Sequence, residues 1–372
     1  MDLTWSQVLA WRLQRQFLLR DAGGPLDPPT VEIVRRLAGV QAQVMSAAEQ
    51  AVAVRTRTPR PGALAQGLAS GELVRTWAMR GTLHVLPSDR LATYLAPLAA
   101  GRTWEKGSWQ KTFLDAGSMR VLTDAAGEIL AGGAALTREE LTDAVVAHTR
   151  DRGLAEHLRS GWGTVLKPLA WQGLLVQGPP RQGRVTFTSP VSLPGWRGLP
   201  PVEEAGPAVV LAYLAAHGPA GPAAVDDWLL RGVTPKKVLR GWFADLAARG
   251  LVVEVSVEGE PLWAGAADVD ELAAARPVAS THLLPAFDQY VLGSGTKDVH
   301  VLDPRRRAEV SRAAGWIAPV VVHGGAIVGT WEAADAAVRV RLFPEAPPLD
   351  AAVLEAEAAH LNPGLPVEVT RA

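Results

Sequence analysis

The sequence predicts an α+β chain: three tandem winged-helix units followed by a small β-rich domain. Three times a run of helical periodicity stops at a glycine (Gly71, Gly173, Gly250) and gives way to a short strand pair. Past residue 272 the periodicity shifts toward two, the signature of strands. Helices followed by a two-stranded wing form the winged variant of the helix-turn-helix. The units are expected at 1–115, 116–200 and 201–272, with the β-rich domain at 273–372. A chain of 372 residues is also too long for one hydrophobic core.

In the first unit, Trp5, Val8, Leu9, Trp11 and Leu13 have helical spacing, and Asp21-Ala22-Gly23-Gly24-Pro25 ends that helix. Pro28-Pro29-Thr30 opens a second helix through Val31, Val34 and Leu37; a further one runs from about Ala63 to Ser70. From Leu73 to Leu86 a strand pair follows. Trp77, Met79, Leu83 and Val85 share one face, and Thr76, Arg80, Thr82 and His84 form a basic polar one. In the second unit, helix Val121–Leu130 precedes a capping box, Thr137-Arg138-Glu139-Glu140, that starts Leu141–His148. A helix over Trp162–Gln172 leads to strands Leu174–Gln177 and Arg184–Thr188. In the third, helices Ala208–Ala216 and Ala223–Leu230 precede Lys236–Ala248, for which Thr234 supplies an N-cap and Pro235 a first-turn proline. Strands Leu251–Val257 and Pro261–Ala264 turn at Glu258-Gly259. The last domain has strands at Leu283–Asp288, Val320–Val322, Ile327–Trp331, Val338–Phe343 and Val367–Thr370, a hairpin tip at His323-Gly324-Gly325, and a helix near Ala351–Leu361.

Composition narrows the function. No apolar run reaches membrane-span length, and the N-terminus lacks the basic and apolar blocks of a signal peptide, so a cytoplasmic protein is expected. Cysteine is absent, which removes disulfides and thiolate chemistry. The net charge of −1 hides an asymmetry: residues 1–200 carry 23 Lys and Arg against 16 Asp and Glu, and residues 201–372 carry 14 against 22. Such a division fits one polyanion-facing side, and equally a solvated surface with no partner. No HExxH, HxE with PCxxC, or GxSxG motif is present, and Gly293-Ser294-Gly295-Thr296-Lys297 lacks the ending of a phosphate loop. No metal or cofactor is expected. Most of the 13 tryptophans belong in the core, with Trp104 and Trp109 the expected exceptions.

One polar feature stands out. In Leu37-Ala38-Gly39-Val40-Gln41-Ala42-Gln43, beside a predicted helix that continues toward Ala53, two glutamines flank one alanine. On a strand or irregular turn, positions i and i+2 point the same way, so two amides converge on one small volume. In an arbitrary chain such a pair caps backbone groups or sits on a solvated face; the surrounding motifs change that.

Gly39-Val40-Gln41-Ala42-Gln43, Arg75-Thr76-Trp77-Ala78-Met79-Arg80-Gly81-Thr82-Leu83-His84, Leu283-Leu284-Pro285-Ala286-Phe287-Asp288 and Val328-Gly329-Thr330-Trp331 together resemble the AlkZ-type DNA glycosylases of the azinomycin-resistance and YcaQ superfamily. The resemblance implies three winged-helix units in a C-shaped molecule holding duplex DNA. It also implies a catalytic Gln-hydrophobic-Gln motif, which falls on Gln41 and Gln43; the YcaQ branch has Asp at the second position. The substrates implied are N7-alkylated purines, interstrand crosslinks included, in double-stranded DNA, with the enzyme a monomer.

A base alkylated at N7 is cationic and leaves as a neutral molecule, so it needs no protonating acid. What remains is an oxocarbenium-like sugar and capture of water. A glutamine amide both accepts and donates, so two can fix one water beside the anomeric carbon. Arg75, Arg80 and Arg184 are the expected phosphate contacts. His84 either orients the site or is a satisfied structural histidine. The tip at His323 and the loop Pro180-Arg181-Gln182-Gly183-Arg184 are candidates to probe a groove. No lysine sits beside the glutamines in the sequence, so no Schiff-base lyase step is expected. Two alternatives compete: a tandem winged-helix transcription regulator without catalysis, and a protein that sequesters a genotoxin free of DNA.

Overall fold

The computed structural model describes residues 1–20, 27–159 and 163–371. The expected helix terminator at 21–25 and the expected helix start at Trp162 lie outside these residues. In the first unit the elements are β1 (Asp2–Leu3), α1 (Trp5–Arg15), α2 (Thr30–Arg36), β2 (Val40–Gln41), α3 (Met45–Ala53), α4 (Ala63–Ser70), β3 (Leu73–Trp77), β4 (Leu83–Pro87), α5 (Leu91–Ala100) and α6 (Gly107–Thr112). Then come α7 (Ala116–Leu130), β5 (Leu136–Thr137), α8 (Arg138–Thr149), α9 (Leu154–Arg159), α10 (Leu166–Trp171), β6 (Val176–Arg181) and β7 (Arg184–Thr188). The third run holds α11 (Val202–His217), α12 (Pro222–Leu230), α13 (Lys236–Ala248), β8 (Val252–Val257), β9 (Glu260–Gly265) and α14 (Val269–Ala274). The C-terminal part has β10 (Thr281–Leu284), α15 (Gln289–Ser294), α16 (Arg307–Val310), β11 (Val320–His323), β12 (Ala326–Ala334), β13 (Ala337–Leu342), α17 (Ala351–Leu361) and β14 (Val367–Arg371).

Helices lead into a hairpin three times, as expected, through glycines whose φ values of 79° (Gly71), 71° (Gly173) and 67° (Gly250) are left-handed. The hairpins do not stay separate. β3 and β6 meet at Arg75 and Gln177, so the first two share a six-stranded sheet of order β2-β4-β3-β6-β7-β5. Joining them removes two open sheet edges. The third hairpin takes β1 as a parallel neighbour, with Leu3 opposite Val257. That seats the N-terminus on the third run of elements, where Leu3, Val8 and Trp11 pack against Val255, Val257 and Leu262.

The C-terminal strands form one sheet, β10-β11-β12-β13-β14, whose last pair is parallel across α17. The expected strand Leu283–Asp288 is shorter, because the chain turns at Pro285 and Asp288 caps α15, accepting from Tyr290 N–H at 2.8 Å. The capping box at Thr137 and Glu140 is present. Thr234 does not cap α13: its hydroxyl is buried without a partner, its N–H donates to Asp226, and the helix starts from Pro235. Trp104 is buried and Trp109 packs against the core; among the described residues Trp316 is the exposed indole.

Buried cations lock the N-terminal helices to the rest. The Arg55 guanidinium, at the end of α3, forks onto both Asp288 oxygens at 2.7 and 2.8 Å, with both side chains fully buried. Arg12 donates to the Gly218 and Pro219 carbonyls and pairs with Asp298 at 3.1 Å. Removing one member of a buried pair leaves the other charge uncompensated. Arg55→Met should therefore cost about 3–5 kcal/mol of stability, read by urea unfolding; a loss below about 1 kcal/mol would show the pair to be dispensable.

Candidate functional site

The Gln-Ala-Gln stretch is extended because of what precedes it. Ala38 and Gly39 have φ values of 55° and 100°, which turns the chain sharply after α2. A Cβ at Gly39 would lie 2.6 Å from Leu86 Cδ2, so glycine is required for β2 to lie against β4. Gln41 then faces His84 across the antiparallel ladder, and Ala42 N–H donates to Leu83 O at 2.7 Å. Helix α3 begins only at Met45. The two glutamines are thus on a strand end, at i and i+2, on the side of the turn joining β3 and β4.

That turn, Ala78–Thr82, is tight: Gly81 N–H donates to Ala78 O, and Arg80 takes a left-handed φ of 56°. The Arg80 guanidinium reaches inward. It donates to Gln41 Oε1 at 3.1 Å and approaches the carbonyls of Trp228 and Leu292, each at 3.4 Å. Those carbonyls lie in the last turns of α12 and α15, where the helix dipole is negative. Burial, then the charge of Arg231, lowers Arg80 to about 10, so it is a cation at neutral pH. Thr82 Oγ1 lies 3.3 Å from Gln41 Oε1 and 3.2 Å from Met79 O, with one hydrogen for either. Gln43 is exposed, and its Oε1 accepts from Leu83 N–H at 3.4 Å. Arg75 donates to Ala42 O at 2.7 Å, fixing the peptide between the two glutamines.

His84 is fully buried, and burial, reinforced by Arg80, depresses it to about 3. It is therefore neutral, donating Nδ1–H to Thr82 O at 3.0 Å. Its Nε2 is buried with no partner.

Two of the arginines expected at phosphate, Arg75 and Arg80, are thus turned inward onto the Gln41–Gln43 stretch, because the hairpin bearing them packs against β2 rather than standing free. Arg184 is exposed at the β6–β7 hairpin, beside Arg181, which pairs with Glu140 on α8. The His323 tip does not project. Tyr290 OH donates to Gly325 O at 2.6 Å, Gly324 N–H to Ser280 O, and a Cβ at Gly325 would meet Leu9 at 2.5 Å. His323 itself is hydrogen-bonded to Thr281 at 2.9 Å.

Two cations escaped notice in the sequence. Lys167, on α10, runs its stem along the turn, its Cδ 3.8 Å from where a Gly81 Cβ would be. Arg231 follows the end of α12. Burial, then the Arg231 charge, lowers Lys167 from its ordinary value. Neither has a carboxylate partner among the described residues. A single lysine in an apolar helix and an arginine before a glycine carry no local signal; only the fold brings them beside the turn that holds Arg80. Among the described residues no group of His, Asp and Glu has the spacing of a metal site, and no helix is long and apolar enough to cross a membrane.

Comparison with known proteins now adds to this geometry. The family model described as DNA glycosylase AlkZ-like matches residues 34–363. The chain belongs to the AlkZ-like DNA glycosylase family. An interstrand DNA cross-link repair glycosylase from Streptomyces sahachiroi is 44% identical over 366 residues, covering 97% of this chain and 96% of that protein. The solved structure of the DNA glycosylase AlkZ from the same organism superimposes with a TM-score of 0.94, at 44% identity and over 100% of both chains. A glycosylase, a hydrolase of N-glycosyl bonds acting on DNA, is therefore favoured over a transcription regulator.

The buried histidines give a pH prediction. His84, His217 and His282 are each lowered to about 3, chiefly by burial. Below the unfolded value near 6.5 the unfolded chain binds protons that the folded one refuses, so stability falls as pH drops from there toward 3. Each contributes up to about 1.4 kcal/mol per pH unit. The melting temperature should decline from pH 6.5 to 5, and His84→Gln should flatten that decline; an unchanged slope would mean His84 takes up a proton in the folded protein.

Proposed function

We propose that this glycosylase hydrolyses the N-glycosidic bond of N7-alkylated purines in duplex DNA, interstrand crosslinks included, and that it acts as a cytoplasmic monomer. The observation that supports this most is the pair of neutral amides, Gln41 and Gln43, on one short strand end, braced by Arg75 through Ala42 and by Arg80. The similar cross-link repair glycosylase from Streptomyces sahachiroi supports the crosslink substrate.

The chemistry follows from the groups present. The alkylated base is already cationic. As its bond to C1′ breaks, the bonding pair moves onto the purine and neutralises it. Water oxygen bonds to C1′, and the released proton passes to solvent at the exposed side of Gln43. A strong general base supplies about 10²–10⁴-fold, and an amide supplies less, so unmodified purines should not be substrates. A crosslinked base is tethered to the opposite strand and resists extrusion into a pocket; a site on an extended strand edge does not require extrusion.

Lys167 and Arg231 beside the turn, with Arg184 on the second hairpin, suit backbone phosphates. Lys167→Ala and Arg231→Ala should each weaken duplex binding across sequences and lower the salt-dependence slope by about 1. An unchanged slope would remove that residue from the interface.

The central assay is release of free 7-methylguanine from methylated duplex. The protein should release it. Gln41→Ala and Gln43→Ala should each lose about 100-fold or more, the scale of a lost transition-state hydrogen bond, while still binding DNA. Absence of free base with the unaltered protein would end the proposal.

A further inference from the structure

Gln41 and Gln43 are the same residue type, but the fold gives them opposite polarity. Arg80 has donors only. With its guanidinium 3.1 Å from one end of the Gln41 amide, that end must be the oxygen; the flipped amide would set two donors against each other. Arg80 cannot readily turn away, because the carbonyls at the ends of α12 and α15 hold its other nitrogen. Thr82 Oγ1 stands at the same oxygen. Gln41 Oε1 is thus occupied. Gln41 is buried, 6% exposed, but its Nε2 has no partner among the described residues and, unlike His84 Nε2, is not a fully buried atom. Gln43 differs: exposed, it holds one long contact, Leu83 N–H at 3.4 Å, and its oxygen keeps a free lone pair.

We propose that Gln41 acts only as a hydrogen-bond donor, with Arg80 as the positioning residue that fixes this polarity, and that Gln43 is the acceptor of the pair. This rests on the glycosylase reading above. The nucleophilic water accepts from Gln41 Nε2 and donates to Gln43 Oε1, which leaves its second lone pair directed at C1′. Bonding Gln41 Oε1 to a cation makes its N–H groups stronger donors. It also removes the Gln41 oxygen from the electrostatic stabilisation of the sugar cation, leaving that to Gln43.

Carboxylate substitution separates the roles, because a carboxylate accepts but cannot donate. Gln41→Glu is near-isosteric and places its charge on Arg80, so the variant should keep its melting temperature and duplex affinity. Single-turnover release of 7-methylguanine should nonetheless fall about 100-fold or more, the cost of a lost donor. Gln43→Glu should lose no more than about tenfold and can gain, since a carboxylate still accepts from the water and is a stronger base than an amide. In an Arg80→Met background the Gln41 amide is free to rotate, so the Gln41→Glu penalty should shrink to below about tenfold. Arg80→Lys should recover part of the rate lost in Arg80→Met.

Full activity of Gln41→Glu would overturn the donor assignment. A penalty that multiplies unchanged into the Arg80→Met background would reduce Arg80 to a structural role. Both outcomes presuppose that the unaltered protein releases 7-methylguanine; if it does not, the glycosylase reading itself fails, a separate result.

Discussion

Much of this molecule is arranged around one contact, the guanidinium of Arg80 on the side-chain oxygen of Gln41. A cation with five donors and no acceptor is costly to bury unless acceptors surround it. Here the acceptors come from three distant places. One is the amide of β2, 39 positions away in sequence, and the others are the carbonyl ends of α12 and α15, 148 and 212 positions away. The glutamine motif is therefore not a local device. Its geometry needs the third helical run and the C-terminal domain to be docked on the first hairpin.

That docking has its own supports. Arg12 and Arg55 join the first helices to elements beyond residue 217, and Gln16 donates to Ala216 O at 3.0 Å between them. Gly293 on α15 is required because a Cβ there would fall 2.0 Å from the His217 ring. The α11–α15 contact is thus as close as side chains permit, which brings the Leu292 carbonyl within reach of Arg80. A rigid frame suits a reaction in which water must be positioned rather than strongly activated, since misplacement of about 1 Å can cost 10²-fold.

What the sequence disclosed divides along physical lines. Period, caps and glycine stops gave the helices and hairpins because those signals lie within a few residues of the structure they specify; Thr137 and Glu140 form their box as expected. The glutamine pair was legible because i and i+2 converge on any extended segment. The direction of each arginine was not, since alternation assigned Arg75 and Arg80 to a polar face without saying what that face meets. They meet protein: Ala42 O, Gln41 Oε1 and two helix ends. The sharing of one sheet by two hairpins, and the union of β1 with β8, are pairings of edges far apart in sequence, for which no local pattern exists. The His323 tip has the turn chemistry of a projecting hairpin, yet Tyr290 and Leu9 bury its end.

The orientation of the Gln41 amide is the point on which the chemical account stands, and it can be observed directly. Neutron diffraction from a crystal of the deuterated protein distinguishes nitrogen from oxygen and locates the deuterons, which ordinary X-ray data do not. Two deuterons are expected on the Gln41 side-chain atom remote from Arg80 and none on the atom beside it. Deuterons on the atom beside Arg80, or a Gln41 swung away from Arg80 with its oxygen bare, would contradict that orientation.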